Sequence, residues 1–166
     1  MCASSSDIKS LAQVENRSVG HARVAGKTLI RDTDWPFIDW VYIYGPAGGV
    51  NSNVLDMAKW ARLHLQEGAF QGEQLVSSES MNFMHTPHTI IVASDKGPLP
   101  DERGPLMGRG MYYGQGWLSV EADYAHLVWH NGGTSGFQTV VALAPAEELG
   151  VVVLSNLSGT NVPEIL

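Results

Sequence analysis

The last third of the chain consists of four short strand-like runs joined by brief turns. These runs span residues 113–120, 125–130, 137–144 and 149–156. Connections of only a few residues favour antiparallel neighbours, because a parallel pair needs a long crossover. Residues 151–154 are Val-Val-Val-Leu, an apolar run without alternation that is typical of a central strand covered on both faces. The pattern predicts an antiparallel meander of about four strands.

Two helices are predicted before this sheet. Asn53 fits an N-cap, and apolar residues recur after it at helical spacing until about Gln66. A second, shorter helix covers residues 79–84 and ends before a Thr-Pro pair. Residues 88–110 hold several prolines and glycines and are predicted to form a long surface loop. With the helices packed on one face of the antiparallel sheet, the fold class is α+β.

Residues 1–45 show no sustained periodicity and are predicted to be an irregular N-terminal segment. Within it, residues 21–30 fit a short hairpin with Gly26 in the turn. Residues 35–44 are aromatic but do not alternate, which indicates a packed loop. The run Gly-Pro-Ala-Gly-Gly at 45–49 should then interrupt any regular structure.

Composition excludes several classes of protein. The chain has 166 residues and 44% hydrophobic residues, enough for a real core. Ten Lys and Arg against 17 Asp and Glu give a net charge of -7, which argues against a nucleic-acid partner. No apolar run approaches the ~20 residues of a membrane-spanning helix. The single cysteine, Cys2, excludes an internal disulfide and a cysteine-based zinc site.

The first residues, Met-Cys-Ala-Ser-Ser-Ser, lack the basic start and apolar stretch of a signal peptide. The chain as written is therefore expected in the cytoplasm. The polar residues 4–6 are expected to be loosely held, as chain ends commonly are.

The stretch His130-Asn131-Gly132-Gly133-Thr134 is the most informative candidate site. A histidine ends one predicted strand, and a glycine pair follows before the next strand. Glycines allow close approach of a ligand to the backbone, and their N–H groups can point at an anion. The same stretch also fits an ordinary glycine-rich turn that carries a surface histidine.

Two other groups of residues carry weaker signals. His85 and His88 could suggest a metal pair, but Pro87 prevents a continuing helix and no cysteine is available, so a structural or solvent-facing role is predicted. We predict no metal and no cofactor. The five tryptophans could line an apolar pocket, although tryptophan in helices and strands is more often part of a core.

Six segments occur in an order that resembles a known family. They are Pro-Ala-Gly-Gly-Val-Asn-Ser at 46–52, Asp-Met-Ala-Lys-Trp at 56–60, Leu-Val-Ser through Thr-Pro at 75–87, Tyr-Gly-Gln-Gly-Trp at 113–117, His-Asn-Gly-Gly at 130–133, and the run to Ser-Asn at 150–156. Together they resemble the C-terminal half of serine β-lactamase-related proteins, of the class C β-lactamase, D-alanyl-D-alanine carboxypeptidase (penicillin-binding protein-like) and esterase type. Residues 46–166 are accordingly predicted to be the C-terminal part of a β-lactamase-like domain.

The resemblance implies acyl transfer on a β-lactam, peptide or ester carbonyl. Family members attack with a serine, and a lysine three residues later and the tyrosine of a Tyr-x-Asn motif handle the protons. By resemblance, His130 would supply electrostatics or hydrogen bonds, and the Gly133 N–H would be one oxyanion donor. The residues implied to contact the substrate are Asn131, Gly132, Thr134 and Gly48.

Two motifs of the family are not convincingly present. No tyrosine is followed by x-Asn, and Ser80-x-Asn82 falls in a predicted packed helix. Ser6 and Lys9 have the Ser-x-x-Lys spacing, but Ser6 lies in a polar run with no strongly apolar helix after it, so we predict a chance match. Two hypotheses follow. The chain is the C-terminal part of a serine hydrolase and incomplete for catalysis alone, or it is a non-catalytic stand-alone domain that serves in binding or assembly.

The resemblance also bears on partners and location. Family members usually continue past the last strand into a long helix that covers the sheet, whereas this sequence stops at Leu166. Apolar strand surface would then be exposed, so a homo-oligomer or a second polypeptide is expected to cover it. The completed site would take a small-molecule acyl substrate. Members of this family are often periplasmic or secreted.

Overall fold

The computed structural model describes residues 3–93, 110–121 and 125–160. The helices are α1 (Ile8–Ala12), α2 (Trp40–Ile43), α3 (Gly45–Gly48), α4 (Val54–Leu65) and α5 (Ser78–His85). The strands are β1 (Gly20–Val24), β2 (Lys27–Arg31), β3 (Ala69–Phe70), β4 (Glu73–Gln74), β5 (Thr89–Ala93), β6 (Gly110–Tyr113), β7 (Leu118–Glu121), β8 (His126–Thr134), β9 (Phe137–Ala144), β10 (Leu149–Ser155) and β11 (Leu157–Ser158).

The main sheet is an antiparallel meander with the strand order β10-β9-β8-β7-β6-β5. The α+β class and the meander are confirmed, but six strands are described instead of about four. One additional strand, β5, lies where a surface loop was predicted; the rest of that loop, 94–109, is outside the described residues. The other arises because the predicted strand 113–120 is in fact the end of β6 and most of β7, joined by a turn.

The turn between β6 and β7 was not predicted, because the aromatic residues on either side of it resemble those of a continuous strand. The Gly114 N–H donates to the Trp117 carbonyl at 2.8 Å, and Gly116 has a φ of 79°. Such a φ favours glycine, so Gly116 permits the reversal. Because Trp117 is buried, this stretch has the hydrophobicity of a strand and the geometry of a turn.

The predicted strand 125–130 extends further than expected. β8 continues through both glycines to Thr134, where a two-residue turn leads to Phe137. The expectation that His130 ends a strand was therefore wrong: the glycine pair lies inside the strand. Continuous pairing with β9 holds this part of β8 extended.

β10 is an edge strand within the described residues, not the central strand that its apolar sequence predicted. Only one of its faces is covered by α4, where the ideal Cβ position of Gly150 lies 3.2 Å from Leu65. Val151 and Leu154 are each 42% exposed. Hydrophobicity alone did not distinguish coverage on both faces from exposure at an edge.

The core lies on both faces of this sheet. On the face towards α4, the helical residue Ala61 packs with Trp117, Val128 and Leu143. The opposite face carries a second buried cluster, made of Met111, Val120, Leu127, Trp129, Val140 and Ala144. Trp117 and Trp129 are therefore core residues.

A second, three-stranded sheet joins segments that lie far apart in the sequence. β1 and β2 form the predicted hairpin, whose turn residues Ala25 and Gly26 have φ values of 48° and 77°. β11 pairs in parallel with β1, with His21 opposite Leu157. The hairpin prediction is confirmed.

The rest of the N-terminal segment is more regular than predicted. α1 lies within the segment expected to be irregular, α2 in the expected packed loop, and α3 in the run expected to interrupt regular structure. Residues 4–6 are not loose. Ser5 exchanges backbone hydrogen bonds with Asn51 at 3.0 and 2.8 Å, and Ser4 donates its hydroxyl to Asp56 at 3.0 Å. Long-range hydrogen bonds of this kind leave no periodic signal in a sequence.

None of the described helices has both the length and the apolar character needed to cross a membrane.

Candidate active site

The candidate site is built on the second half of β8. β7 begins at Leu118, opposite Trp129, so residues 130–134 are paired with β9 but have no described strand on the β7 side. This creates an open strand edge that carries all five residues of the predicted stretch. The structure therefore places them in one row, instead of around a turn.

The turn geometry fixes which backbone groups point to that open edge. Thr134 and Phe137 flank a two-residue turn, so they form a hydrogen-bonded pair. Hydrogen-bonded and non-hydrogen-bonded pairs alternate along an antiparallel ladder. Gly132 and His130 therefore bond to β9, whereas the N–H and C=O of Asn131 and Gly133 point away from it. The Gly133 N–H is thus directed to the side on which this part of β8 has no described neighbouring strand.

His130 is half-buried, and both of its ring nitrogens have neighbours. Nδ1 lies 2.5 Å from the backbone carbonyl of Asn131, and Nε2 lies 3.1 Å from the Tyr113 hydroxyl. The Tyr113 and His130 rings meet edge to face, with centroids 5.9 Å apart. Tyr113 on β6 and His130 on β8 are thus hydrogen-bonded to each other at the end of the sheet where β7 does not extend between them.

The turn after the site is held from two sides. The Trp40 indole N–H donates to the hydroxyl of the buried Ser135 at 2.9 Å, which ties α2 to the turn. On the other side, His21 donates its backbone N–H to the Gly136 carbonyl at 3.0 Å. Gly136 has a φ of 99°, and a Cβ there would lie 2.6 Å from the Gly20 backbone. The end of β8 is therefore fixed against β1 and α2.

Gly48 and Thr134, two of the predicted substrate contacts, line one cleft together with Tyr42 and Asn51. Its volume is about 60 Å³, which is room for a few water molecules and far below the ~300 Å³ of a typical ligand pocket. Tyr42 donates its hydroxyl to the Asn51 side chain at 2.9 Å, and burial raises the pKa of Tyr42. This cleft can take a small group at the end of the strand edge, but not a whole substrate.

Ser6 and Lys9 do not form a catalytic pair in the structure. α1 begins after Asp7, whose carboxylate accepts the Ser10 N–H at 2.8 Å as an N-cap. Ser6 therefore lies outside the helix, and both Ser6 and Lys9 are exposed. A nucleophilic serine of this kind needs a desolvated base beside it. The arrangement agrees with the predicted chance match and does not supply a nucleophile.

The sequence alone did not reveal that a buried histidine and a half-buried one contact each other beneath the sheet. His64 on α4 is 3% exposed, and its Nδ1 lies 2.9 Å from His85 Nε2. The indoles of Trp60 and Trp117 stand edge-on to the His64 ring, with centroids 4.4 and 4.8 Å away. Burial lowers the pKa of His64 to about 4, helped by the neighbouring His85, and burial also lowers the pKa of His85.

The two members of the suggested metal pair have separate partners. His85 contacts His64, whereas His88 Nε2 lies 2.9 Å from the Phe83 carbonyl. No group of three or more potential metal-binding side chains occurs among the described residues.

Asp56 on α4 is a buried carboxylate with several hydrogen-bond partners. The Asp56 carboxylate lies 2.8 Å from the Lys59 ammonium and accepts the Ala3 N–H at 2.9 Å. These contacts, led by the hydrogen bond from Lys59, hold the pKa of Asp56 well below its usual range. Asp56 is thereby a structural anion and remains charged at all ordinary pH values.

Sequence reasoning missed Tyr113 and Trp40 as neighbours of the site. Tyr113 stands at the head of the Tyr-Gly-Gln-Gly-Trp segment, but its contact with His130 depends on the missing part of β7. Trp40 lies in a stretch without periodicity, and its bond to Ser135 spans 95 residues. The glycines after Tyr113 could identify it as a residue next to a turn. Neither the Tyr113–His130 contact nor the Trp40–Ser135 bond follows from the spacing of residues in the sequence.

The beta-lactamase family model matches residues 6–165 of the chain. Among characterised proteins, the chain is similar to the unguisins hydrolase ungD' of Aspergillus campestris, with 27% identity over 110 residues. That match covers 66% of this chain and 18% of the fungal protein. Protein flp of Staphylococcus aureus is 35% identical over 54 residues, which are 32% of this chain and 10% of that protein. The chain thus matches less than a fifth of the length of either relative.

Proposed function

The chain belongs to the beta-lactamase family, and on that premise we propose that it forms the substrate-facing wall of a serine hydrolase. The proposed substrates are small molecules with an acyl carbonyl, in a β-lactam, a peptide or an ester. The observation that carries the proposal is the direction of the Gly133 N–H, which points to the open edge of β8. The name of the fungal relative, a hydrolase, agrees with this reaction class.

Gly133 has the properties that an oxyanion donor needs. When a nucleophile attacks an acyl carbonyl, negative charge develops on the carbonyl oxygen, and a fixed N–H aimed at that oxygen stabilises it. Gly133 is exposed and belongs to a strand that β9 holds rigid. The absence of a side chain lets the carbonyl approach the backbone closely.

His130 lies on the same strand, three residues earlier. In this proposal it contributes electrostatics near the substrate and the proton-transfer groups, and its hydrogen bonds fix the groups around it. Asn131 directs its backbone groups to the same edge as Gly133, while Gly48 and Thr134 flank the small cleft at its end. The proposed substrate contacts therefore extend along one continuous surface.

The attacking serine and its base are proposed to come from outside the described site. Ser6 is exposed and precedes its helix, and no Tyr-x-Asn motif occurs in the sequence. In this proposal the chain alone binds an acyl group but does not turn it over. The alternative, a non-catalytic binding or assembly domain, is favoured by the same exposure of Ser6.

Turnover assays test the nucleophile. The purified chain and its Ser6→Ala variant are incubated with nitrocefin and with p-nitrophenyl acetate. We expect neither protein to exceed the buffer rate. Turnover by the chain that Ser6→Ala abolishes would show that Ser6 is the nucleophile and that our placement of it is wrong.

Amide NMR tests the proposed oxyanion donor. Benzoate, which presents a charged acyl oxygen, is titrated into the ¹⁵N-labelled chain. We expect the Gly133 amide signal to shift first. Gly133→Pro removes this N–H without touching the ladder to β9 and should abolish the response at the open edge. Gly133→Ala keeps the N–H, and its Cβ would meet only the flexible end of Gln138 at 2.9 Å, so it should preserve the response. If Gly133→Pro and Gly133→Ala respond alike, the proposal is wrong and the non-catalytic alternative stands.

We also propose that another polypeptide covers the apolar surface next to the cleft. Phe37, Ile43 and Tyr44 are 67%, 76% and 65% exposed and lie within or beside α2. Exposed apolar groups that cluster in this way mark interaction surfaces. Light scattering should show a homo-oligomer or a complex with a second chain. A clean monomer at high concentration, with no bound partner, would contradict this.

A further inference from the structure

Tyr113 is the neighbour of the site for which the family resemblance assigns no role. Its hydroxyl oxygen lies 3.1 Å from His130 Nε2, on the side that β7 leaves open. We propose that Tyr113 is a positioning residue that holds the neutral His130 ring in one tautomer, with the proton on Nδ1. This inference rests on the proposed role of His130 at the site.

The tautomer follows from the partners of the two ring nitrogens. The Asn131 backbone carbonyl beside Nδ1 can only accept a hydrogen bond, so Nδ1 must carry the proton. In a neutral ring, Nε2 is then unprotonated and can only accept. The Tyr113 hydroxyl is able to donate, and its O–H therefore points at Nε2. Together the two bonds define both the orientation of the ring and the position of its proton.

Tyr113 can act in this way because its own backbone is fixed. Its carbonyl accepts the His88 N–H at 2.9 Å, and the next residue, Gly114, bonds to Trp117 within the turn. A Cβ on Gly114 would lie 2.3 Å from the Met84 carbonyl, so the turn packs directly against the end of α5. The backbone that carries the Tyr113 side chain is thus held in place by hydrogen bonds and close packing.

The arrangement has a consequence for what a substrate meets at this end of the strand. The lone pair of Nε2 is already used by Tyr113, so the imidazole does not accept a further hydrogen bond there. The tyrosine oxygen, in contrast, still has acceptor capacity. A substrate N–H or O–H donor would therefore approach Tyr113, with His130 as the group that orients the hydroxyl.

Long-range ¹H–¹⁵N NMR of the imidazole nitrogens tests the proposal on the whole chain. Spectra are recorded at about pH 8.5, where histidine is ordinarily neutral. His130→Asn identifies the His130 signals among the six histidines. In the wild-type chain we expect a protonated Nδ1 and an Nε2 shifted as a hydrogen-bond acceptor. A wild-type spectrum with the proton on Nε2 overturns the proposal, whatever any variant does.

Tyr113→Phe removes only the hydroxyl. We expect the Nε2 signal to move to the position of an unbonded nitrogen, or the Nε2-protonated tautomer to become populated. Tyr112→Phe, next to it on β6, removes the same group and should leave the His130 signals unchanged. Unchanged signals in a folded Tyr113→Phe protein would contradict the proposal. Because this readout does not use turnover or anion binding, its failure is separate from a failure of the proposed function.

Discussion

Acidification should destabilise the fold through the buried His64 and its half-buried neighbour His85. His64 has a pKa of about 4 in the folded chain, whereas a histidine in the unfolded chain titrates near 6.5. Between these values the unfolded state holds more protons than the folded state, so the free energy of unfolding falls as the pH falls. The stabilisation is fully present above pH 6.5 and is lost progressively towards pH 4.

The size of the effect follows from the same two pKa values. Linkage for one titrating group with these two pKa values predicts that the free energy of unfolding falls by at most about 2 kcal/mol between pH 7 and pH 5. The lowered pKa of His85 acts in the same direction.

Urea denaturation followed by tryptophan fluorescence measures this loss directly. Trp60 and Trp117 both touch the His64 ring, so their emission reports on the pair. His64→Phe replaces the titrating ring by an apolar one and should flatten the dependence of stability on pH between 7 and 5. His88→Gln, which removes an exposed histidine just beyond α5, should leave that dependence intact. An equal slope in the wild-type and His64→Phe chains would refute the reasoning.

Four further substitutions should lower the free energy of unfolding by amounts that the local geometry sets, all measurable by urea denaturation. Gly136→Ala should cost more than about 2 kcal/mol because its Cβ would overlap the backbone of β1. Gly26 also has a positive φ but lies in open space, so Gly26→Ala should cost only about 1 kcal/mol. Equal losses in the two variants would show that the overlap at Gly136 is not the cause. Trp40→Phe should cost about 1 kcal/mol through the lost bond to Ser135, and no loss would show that this bond does not hold the turn. Asn53→Ala should cost about 1 kcal/mol because the Asn53 side chain caps α4.

The elements that sequence reasoning located best are those whose signal is local. The N-cap at Asn53 and the apolar spacing after it gave α4 to within one residue of its end. β9 has the predicted bounds 137–144, and β10 ends one residue earlier than predicted. The turn at residues 145–148, with Glu148 at a φ of 53°, separates these two strands as a hairpin. Alternation and capping depend on neighbours in sequence, so one sequence is sufficient to show them.

Features that depend on distant contacts were not predictable in this way. The strand pairing that keeps Gly132 and Gly133 extended comes from β9, and the edge position of β10 depends on which strands are present elsewhere. The site residues were selected by motif, but their common row along an open edge results from the point at which β7 begins. The bond from Tyr113 to His130 is a consequence of that register. Register and edge position belong to the assembled sheet and not to any single strand.

The parallel pairing of β1 with β11 has a consequence for synthesis on the ribosome. His21 faces Leu157, so β1 and β2 leave the exit tunnel well before the strand that completes their sheet. Until then the exposed residues of β2, Leu29 and Ile30 among them, belong to a bare two-stranded ribbon that is marginal in water. The sheet is therefore expected to close only after β11 has been synthesised, later than the local contacts of the hairpin form.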